Sequence, residues 1–124
     1  MNIPENLRYT STHEWVRFDG SKAFVGITDY AQSNLGDIVF VELPEIGTRL
    51  EVGAEAGTIE SVKAVSPIYS PAAGNVVRTN TELEGAPEQV NADPYASWFF
   101  VLEISDPHAS ESLLDAEAYR KICE

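Results

Sequence analysis

Proline and glycine break this chain before any apolar run can grow long. Pro44, Gly47, Gly53, Pro67, Pro71, Gly74, Gly85, Pro87 and Pro94 separate segments of strand length, many of them rich in Val, Ile, Phe and Trp. Proline cannot donate to a sheet ladder and glycine favours turns, so this punctuation suits short strands and disfavours long helices. Trp15-Val16-Arg17-Phe18 and Ala23-Phe24-Val25-Gly26-Ile27 read as two arms of a hairpin turned at Asp19-Gly20. Ile38 to Leu43 is almost continuously apolar, which predicts a strand buried on both faces. Further strands are predicted over Ala56–Val62, Ala64–Ser70, Gly74–Arg78 and Trp98–Ile104. The series predicts an all-β sandwich or barrel, and a chain of 124 residues suits a single domain over residues 1–124.

Two short helices are expected on this scaffold. Asp29-Tyr30-Ala31-Gln32 reads as a capping box, with Asp29 as cap and Gln32 reaching back. Ala31 and Leu35 then share a face, and Gly36 can take the left-handed stop. Near the C-terminus, Asp115 is placed to cap a helix starting at Ala116, with Tyr119, Ile122 and Cys123 on one face. A faint repeat is also visible: turns at Gly53 and Gly85 each lead towards a strand, ending at Glu60 and Ile104.

Charge and cysteine usage narrow the function. Twenty Asp and Glu oppose eight Lys and Arg, a formal charge of −12 that repels nucleic acid and anionic membrane surfaces. No apolar run approaches the roughly 20 residues of a membrane helix. Met1 to Glu5 shows no basic segment leading into an apolar one, so no signal peptide is expected and the predicted setting is cytoplasmic. Cys123 is the only cysteine, which excludes an internal disulfide and a multi-cysteine zinc site. His13 and His108 have no partner at ligand spacing, so no metal site is expected. Cys123 could be drawn as a thiol with either histidine as base, but its apolar helix face favours packing.

Lysine is scarce: Lys22, Lys63 and Lys121 are the whole set. Lys22 follows a hairpin turn and Lys121 falls in a terminal helix. Lys63 lies between two predicted strands, in Glu60-Ser61-Val62-Lys63-Ala64-Val65, with small neighbours at Ser61 and Ala64. A surface lysine at a bend is the plain reading. A hairpin tip is also the geometry that lets a modifying enzyme reach an ε-amine.

Glu60-Ser61-Val62-Lys63-Ala64 resembles the lipoylation site of the glycine cleavage system H-protein family, and the resemblance runs through almost the whole chain. His13-Glu14-Trp15-Val16 is similar to the family's opening strand, and Gly26 to Gln32 to its first helix. Leu35 to Pro44 matches the next strand, Tyr69-Ser70-Pro71 with Gly74 the strand and turn after the lysine, and Leu113 to Tyr119 the C-terminal helices. The resemblance implies a lipoyl/biotinyl-type β-sandwich, a barrel-sandwich hybrid flanked by short helices. It implies lipoate joined to Lys63 by an amide, which removes the lysine charge. It also implies a non-catalytic carrier. Glycine decarboxylase (P protein) loads the arm with an aminomethyl group, aminomethyltransferase (T protein) unloads it, and dihydrolipoyl dehydrogenase (L protein) reoxidises the dithiol. A lipoate ligase or a lipoyl/octanoyl transferase would attach the arm. A cleft sheltering the loaded arm would be lined by Thr12, Glu14, Ile27, Ala31, Leu35, Ala64 and Val65, with Glu14 meeting the positive amine.

Two departures from the family pattern stand out. Pro67 occupies a position, four after the lysine, where many members have an acidic residue. Ala96-Ser97 replaces a Gly-containing stretch one residue longer. Four other readings compete. One is an H-like protein serving mainly as a lipoate donor or relay for other lipoyl enzymes. A second is a non-catalytic β-sandwich interaction module with unmodified Lys63. The third, a biotin carrier, is disfavoured because Val62 and Ala64 stand where that family has methionines. A lipoyl domain of a 2-oxoacid dehydrogenase would typically show Asp-Lys-Ala and lack the flanking elements.

Overall fold

The computed structural model describes residues 1–124. Nine strands form two antiparallel sheets. The larger contains β1 (Arg8–Tyr9), β2 (Glu14–Asp19), β3 (Lys22–Ile27), β5 (Arg49–Leu50), β8 (Gly74–Thr79) and β9 (Phe100–Ile104), in the order β1-β2-β3-β9-β8-β5. The smaller contains β4 (Ile38–Glu42), β6 (Glu55–Ser61) and β7 (Val65–Tyr69), in the order β4-β6-β7. Neither sheet closes on itself, so the architecture is a sandwich. Four short helices flank it: α1 (Asp29–Leu35), α2 (Glu82–Gly85), α3 (Gln89–Ala92) and α4 (Ala116–Cys123).

The sheets face each other across one core. Val16, Val25, Phe100 and Leu102 from the larger sheet meet Ile38, Val41, Ile59 and Ile68 from the smaller. Leu83 of α2 and Val90 of α3 plug the same core, though neither helix has enough periodicity to be read from sequence. A second cluster lies on the other face of the larger sheet, where Tyr9 and Trp15 pack with Ile3, Leu7, Ala116 and Tyr119. The end of the larger sheet near β1 and β2 is therefore covered on both faces.

Several local expectations shift. The first hairpin turns on Gly20-Ser21, because Asp19 pairs with Lys22, and Gly20 supplies the positive φ of 61°. Thr28, one residue before Asp29, caps α1, its hydroxyl accepting from Ala31 N–H at 3.2 Å. Asp29 instead accepts from the Asn2 N–H at 2.8 Å and from the Gln32 amide at 2.7 Å. The Ile38–Leu43 run is buried on one face only. A bulge between Ile38 and Phe40 turns both Ile38 and Val41 inward and leaves Val39 and Phe40 about half exposed, at 52% and 50%. The sequence repeat dissolves, since Gly85 ends α2 and no strand follows until Phe100.

Asp115 does cap α4, accepting from Ala118 N–H at 2.8 Å. A 3₁₀ turn over Ala109–Ser112 precedes it, and Leu114, between the two, bridges Tyr9 through two backbone hydrogen bonds of 2.8 Å. Tyr119 and Cys123 pack inward, whereas Ile122 is exposed. The short Ala96-Ser97 connection is closed by its own hydrogen bonds, Ala96 N–H to Asp93 and the Ser97 hydroxyl to Gln89 O at 3.1 Å.

Gly26 pairs with Trp15 across β2 and β3, and a methyl group built there would lie 2.6 Å from the indole. Trp15 cannot retreat, because it is buried and its Nε1–H donates to Pro94 O at 3.0 Å. Gly26→Ala should therefore cost about 1–3 kcal/mol of unfolding free energy in urea titration.

Candidate functional site

Lys63 stands at the tip of the β6–β7 hairpin. Strand β6 alternates, with Ile59 and Ser61 buried and Glu60 exposed, and three residues, Val62-Lys63-Ala64, make the connection. Ser61 holds that loop. Its backbone N–H donates to Ala64 O at 2.8 Å, and its hydroxyl oxygen accepts from Ala64 N–H at 3.1 Å and Lys63 N–H at 3.3 Å. Val62 N–H donates to Asp37 O at 3.0 Å, which ties the tip to the loop between α1 and β4. The backbone under Lys63 is thus fixed from two sides while its side chain is exposed and makes no ion pair. Gly36, with φ 77°, ends α1 beside it, and a methyl group built there would sit 3.7 Å from Lys63 Cε.

Glu14 sits beside the far end of β7. It lies on β2 opposite Ile27 and is only 2% exposed. The Thr10 and Thr12 hydroxyls donate to its Oε1 at 2.6 and 2.5 Å, and the Tyr69 N–H donates to its Oε2 at 3.3 Å. This last bond joins the larger sheet to the edge strand of the smaller. From Val65 to Tyr69 the strand covers about 13 Å at about 3.3 Å per residue. Burial pushes the Glu14 carboxyl above the ordinary carboxylate range, and the hydrogen bonds from Thr10, Thr12 and Tyr69 only partly offset it. No cation is paired with it. Glu14, Thr12 and Tyr69 line a cavity of about 580 Å³ whose other wall includes Val52, Leu113 and Ile122.

The residues singled out in the sequence fall into three places. Glu60, Ser61, Val62, Ala64 and Val65 surround Lys63 at the tip. Thr12 and Glu14 lie at the cavity. Ile27 is a core residue at 3% exposure, and Ala31 and Leu35 are half-buried against that core. Leu35 is the last residue of α1, directly before the Gly36 contact with Lys63. Pro67 is half-buried in β7 opposite Thr58.

Three contributors were not anticipated. Thr10 and Tyr69 complete the hydrogen bonding of Glu14, and the Thr10-x-Thr12-x-Glu14 spacing was the available signal. Tyr119 is the third. Its hydroxyl bonds Thr28 Oγ1 at 2.6 Å and His13 Nδ1 at 2.8 Å, linking α4 to the cap of α1. His13 sits at φ 72° next to Glu14, and burial lowers its pKa below that of a free imidazole.

A β-sandwich that presents one lysine on a backbone-pinned hairpin has the form of a swinging-arm carrier of the lipoyl/biotinyl type. The comparisons agree. The glycine cleavage H-protein family profile matches residues 7–124. A glycine cleavage system H protein of Syntrophomonas wolfei is 52% identical over 124 residues, covering 100% of this chain and 95% of that protein. Glycine cleavage system H protein 2 of Pseudomonas aeruginosa is 55% identical over 121 residues, covering 96% and 93%. The crystal structure of the Mycobacterium marinum H protein superposes with a TM-score of 0.87 at 37% identity, covering 96% and 97%. The chain belongs to the glycine cleavage H-protein family. It is a lipoyl carrier of the glycine cleavage system and not an enzyme.

The raised Glu14 carboxyl sets a pH dependence. The native state binds this proton more tightly than the unfolded chain, whose carboxyl has a value near 4.5. The resulting stabilisation is complete below that value and is lost as pH rises through the raised native one. Glu14→Gln keeps an acceptor for Tyr69 and donors for the threonine hydroxyls without the titration. Its urea midpoint, relative to wild type, should therefore improve steadily as pH rises above about 4.5 and through the raised native value.

Proposed function

We propose that Lys63 is the residue that carries lipoate, and that residues 1–124 act as one carrier domain serving the P, T and L proteins of glycine cleavage. The observation that supports this most directly is the exposed, unpaired Lys63 amine on a hairpin whose backbone is held by Ser61 and Asp37. An amide-linked lipoyl group fits there, because nothing buries the ε-amine and the neighbours Ala64 and Gly36 are small. Lipoate, when bound, supplies a disulfide that accepts and releases the one-carbon amine.

The chain's own residues perform three tasks. Ser61 and the Val62–Asp37 bond hold the attachment point steady while the side chain moves. Glu14 presents a carboxylate to a protonated amine brought to the cavity, with Thr10, Thr12 and Tyr69 fixing its orientation. Pro67 contributes no charge at its position in β7, so Glu14 carries that task without a neighbouring acid there. Tethering replaces diffusion by a high effective concentration at each partner. The proposed setting is cytoplasmic, in keeping with bacterial relatives and with the fact that no helix is long and apolar enough to cross a membrane.

Intact-mass analysis after expression with lipoate and its attaching enzyme should show one lipoyl group, mapped to the peptide containing Lys63. Lys63→Ala should take up none, with its unfolding free energy within about 0.5 kcal/mol of wild type. A lipoyl group on Lys22 or Lys121 instead, or an unmodified wild-type chain, would remove Lys63 from this role. Glycine-dependent loading by glycine decarboxylase separates glycine cleavage from a lipoate-relay role.

A further inference from the structure

Cations are distributed unevenly between the two sheets. Of the eight Lys and Arg residues, Arg8, Arg17, Lys22, Arg49 and Arg78 lie on strands of the larger sheet, and Arg120 and Lys121 lie on α4. Lys63 alone belongs to the smaller sheet's side. The strands there carry Glu42, Glu55 and Glu60, all exposed, and Asp37 is exposed beside the tip. The same sheet is apolar around Lys63. Phe40 pairs with Glu60 and Glu60 with Val65, so the three side chains stand in one row across the outer face. Phe40 is 50% exposed, Val62 68% and Val65 66%, and Val39 adds a further exposed methyl pair at the bulge. The folded chain gives these side chains no partner.

We propose that this outer face, centred on Phe40, Val62 and Val65, is the docking surface for the enzyme that acylates Lys63, which meets it with an apolar shelf rimmed by Lys or Arg. The inference rests on the reading of Lys63 as the acylated residue. Reach selects the occupant. Before modification the ε-amine extends only about 6 Å from its Cα, so the acylating enzyme must accept the hairpin tip itself. Once the arm is attached, a partner can work further from the protein surface. Phe40 lies two strands from Val65, about 10 Å away at about 4.8 Å per strand, within the footprint of an enzyme closed over the tip. Charge complementarity sets the rim, because the face offers carboxylates and a single cation that amide formation removes. In that reaction the Lys63 Nζ forms a bond to the carbonyl carbon of an acyl adenylate. The bond to AMP breaks, and two of the ammonium's three protons pass to solvent while the amide keeps the third.

The test is the initial rate of lipoylation of the apo-protein by a lipoate ligase, with lipoate and ATP, as carrier concentration is varied. Phe40→Ala should raise the KM for the carrier about tenfold, with kcat within about twofold, as for loss of an interface anchor. Ile46→Ala, equally apolar and 65% exposed on the loop between β4 and β5, should leave both constants unchanged. Added salt should raise the wild-type KM. An unchanged KM for Phe40→Ala, with wild type lipoylated on Lys63, overturns the docking surface and leaves the lysine assignment standing. A wild-type chain left unmodified at Lys63 overturns both. A wild-type dimer in sedimentation that Phe40→Ala disperses would assign the face to a second copy and overturn the proposal. Matching far-ultraviolet spectra and melting profiles will show that neither substitution alters the fold.

Discussion

The β6–β7 hairpin is held by the sandwich core, and the presentation of Lys63 depends on it. Ile59 and Ile68 are buried against the opposite sheet, so neither strand can slip by one residue without turning its apolar side chains into water. With that register set, Ser61 must point inward and the three residues after it must turn. Its buried hydroxyl then finds the amides of Lys63 and Ala64. The side chain of Lys63 is exposed while the backbone beneath it is held.

A second constraint acts at the seam between the sheets. Glu14 is a buried carboxylate surrounded by donors, two threonine hydroxyls and the Tyr69 amide, with no cation of the chain's own. Burying an unpaired charge is costly, and the hydrogen bonds recover part of that cost. The Tyr69 bond also occupies a donor on the edge of β7, where Pro67 has none to offer. That edge is therefore a poor template for adding another strand. The Glu14 side chain ties the two sheets together and leaves its carboxyl group at the cavity wall.

Sequence reasoning recovered the all-β sandwich because turn residues and strand-length apolar runs are local signals. It singled out Lys63 because lysine is rare in this chain, and the fold puts that residue at the tip of the β6–β7 hairpin. Its errors have specific causes. Thr28 and Asp29 both have side chains suited to a cap, and only the path of residues 1–3 shows that Asp29 is taken by Asn2. The run from Ile38 to Leu43 looked buried on both faces because a bulge leaves no mark in hydropathy. The four-residue helices α2 and α3 are too short to show a period, although Leu83 and Val90 are fully buried.

The sequence by itself determined that this chain folds into short strands, that its surface is acidic, and that Lys63 falls in a bend between two of them. These follow from backbone chemistry and residue counts, which act locally. Only the tertiary structure decided that Glu14 reaches the edge of β7, that Tyr119 joins α4 to the cap of α1, and that nearly all the cations gather away from Lys63. It also decided that Phe40 faces solvent in line with Val65. Those relations join residues far apart in the chain, and strand pairing and core packing alone bring them together.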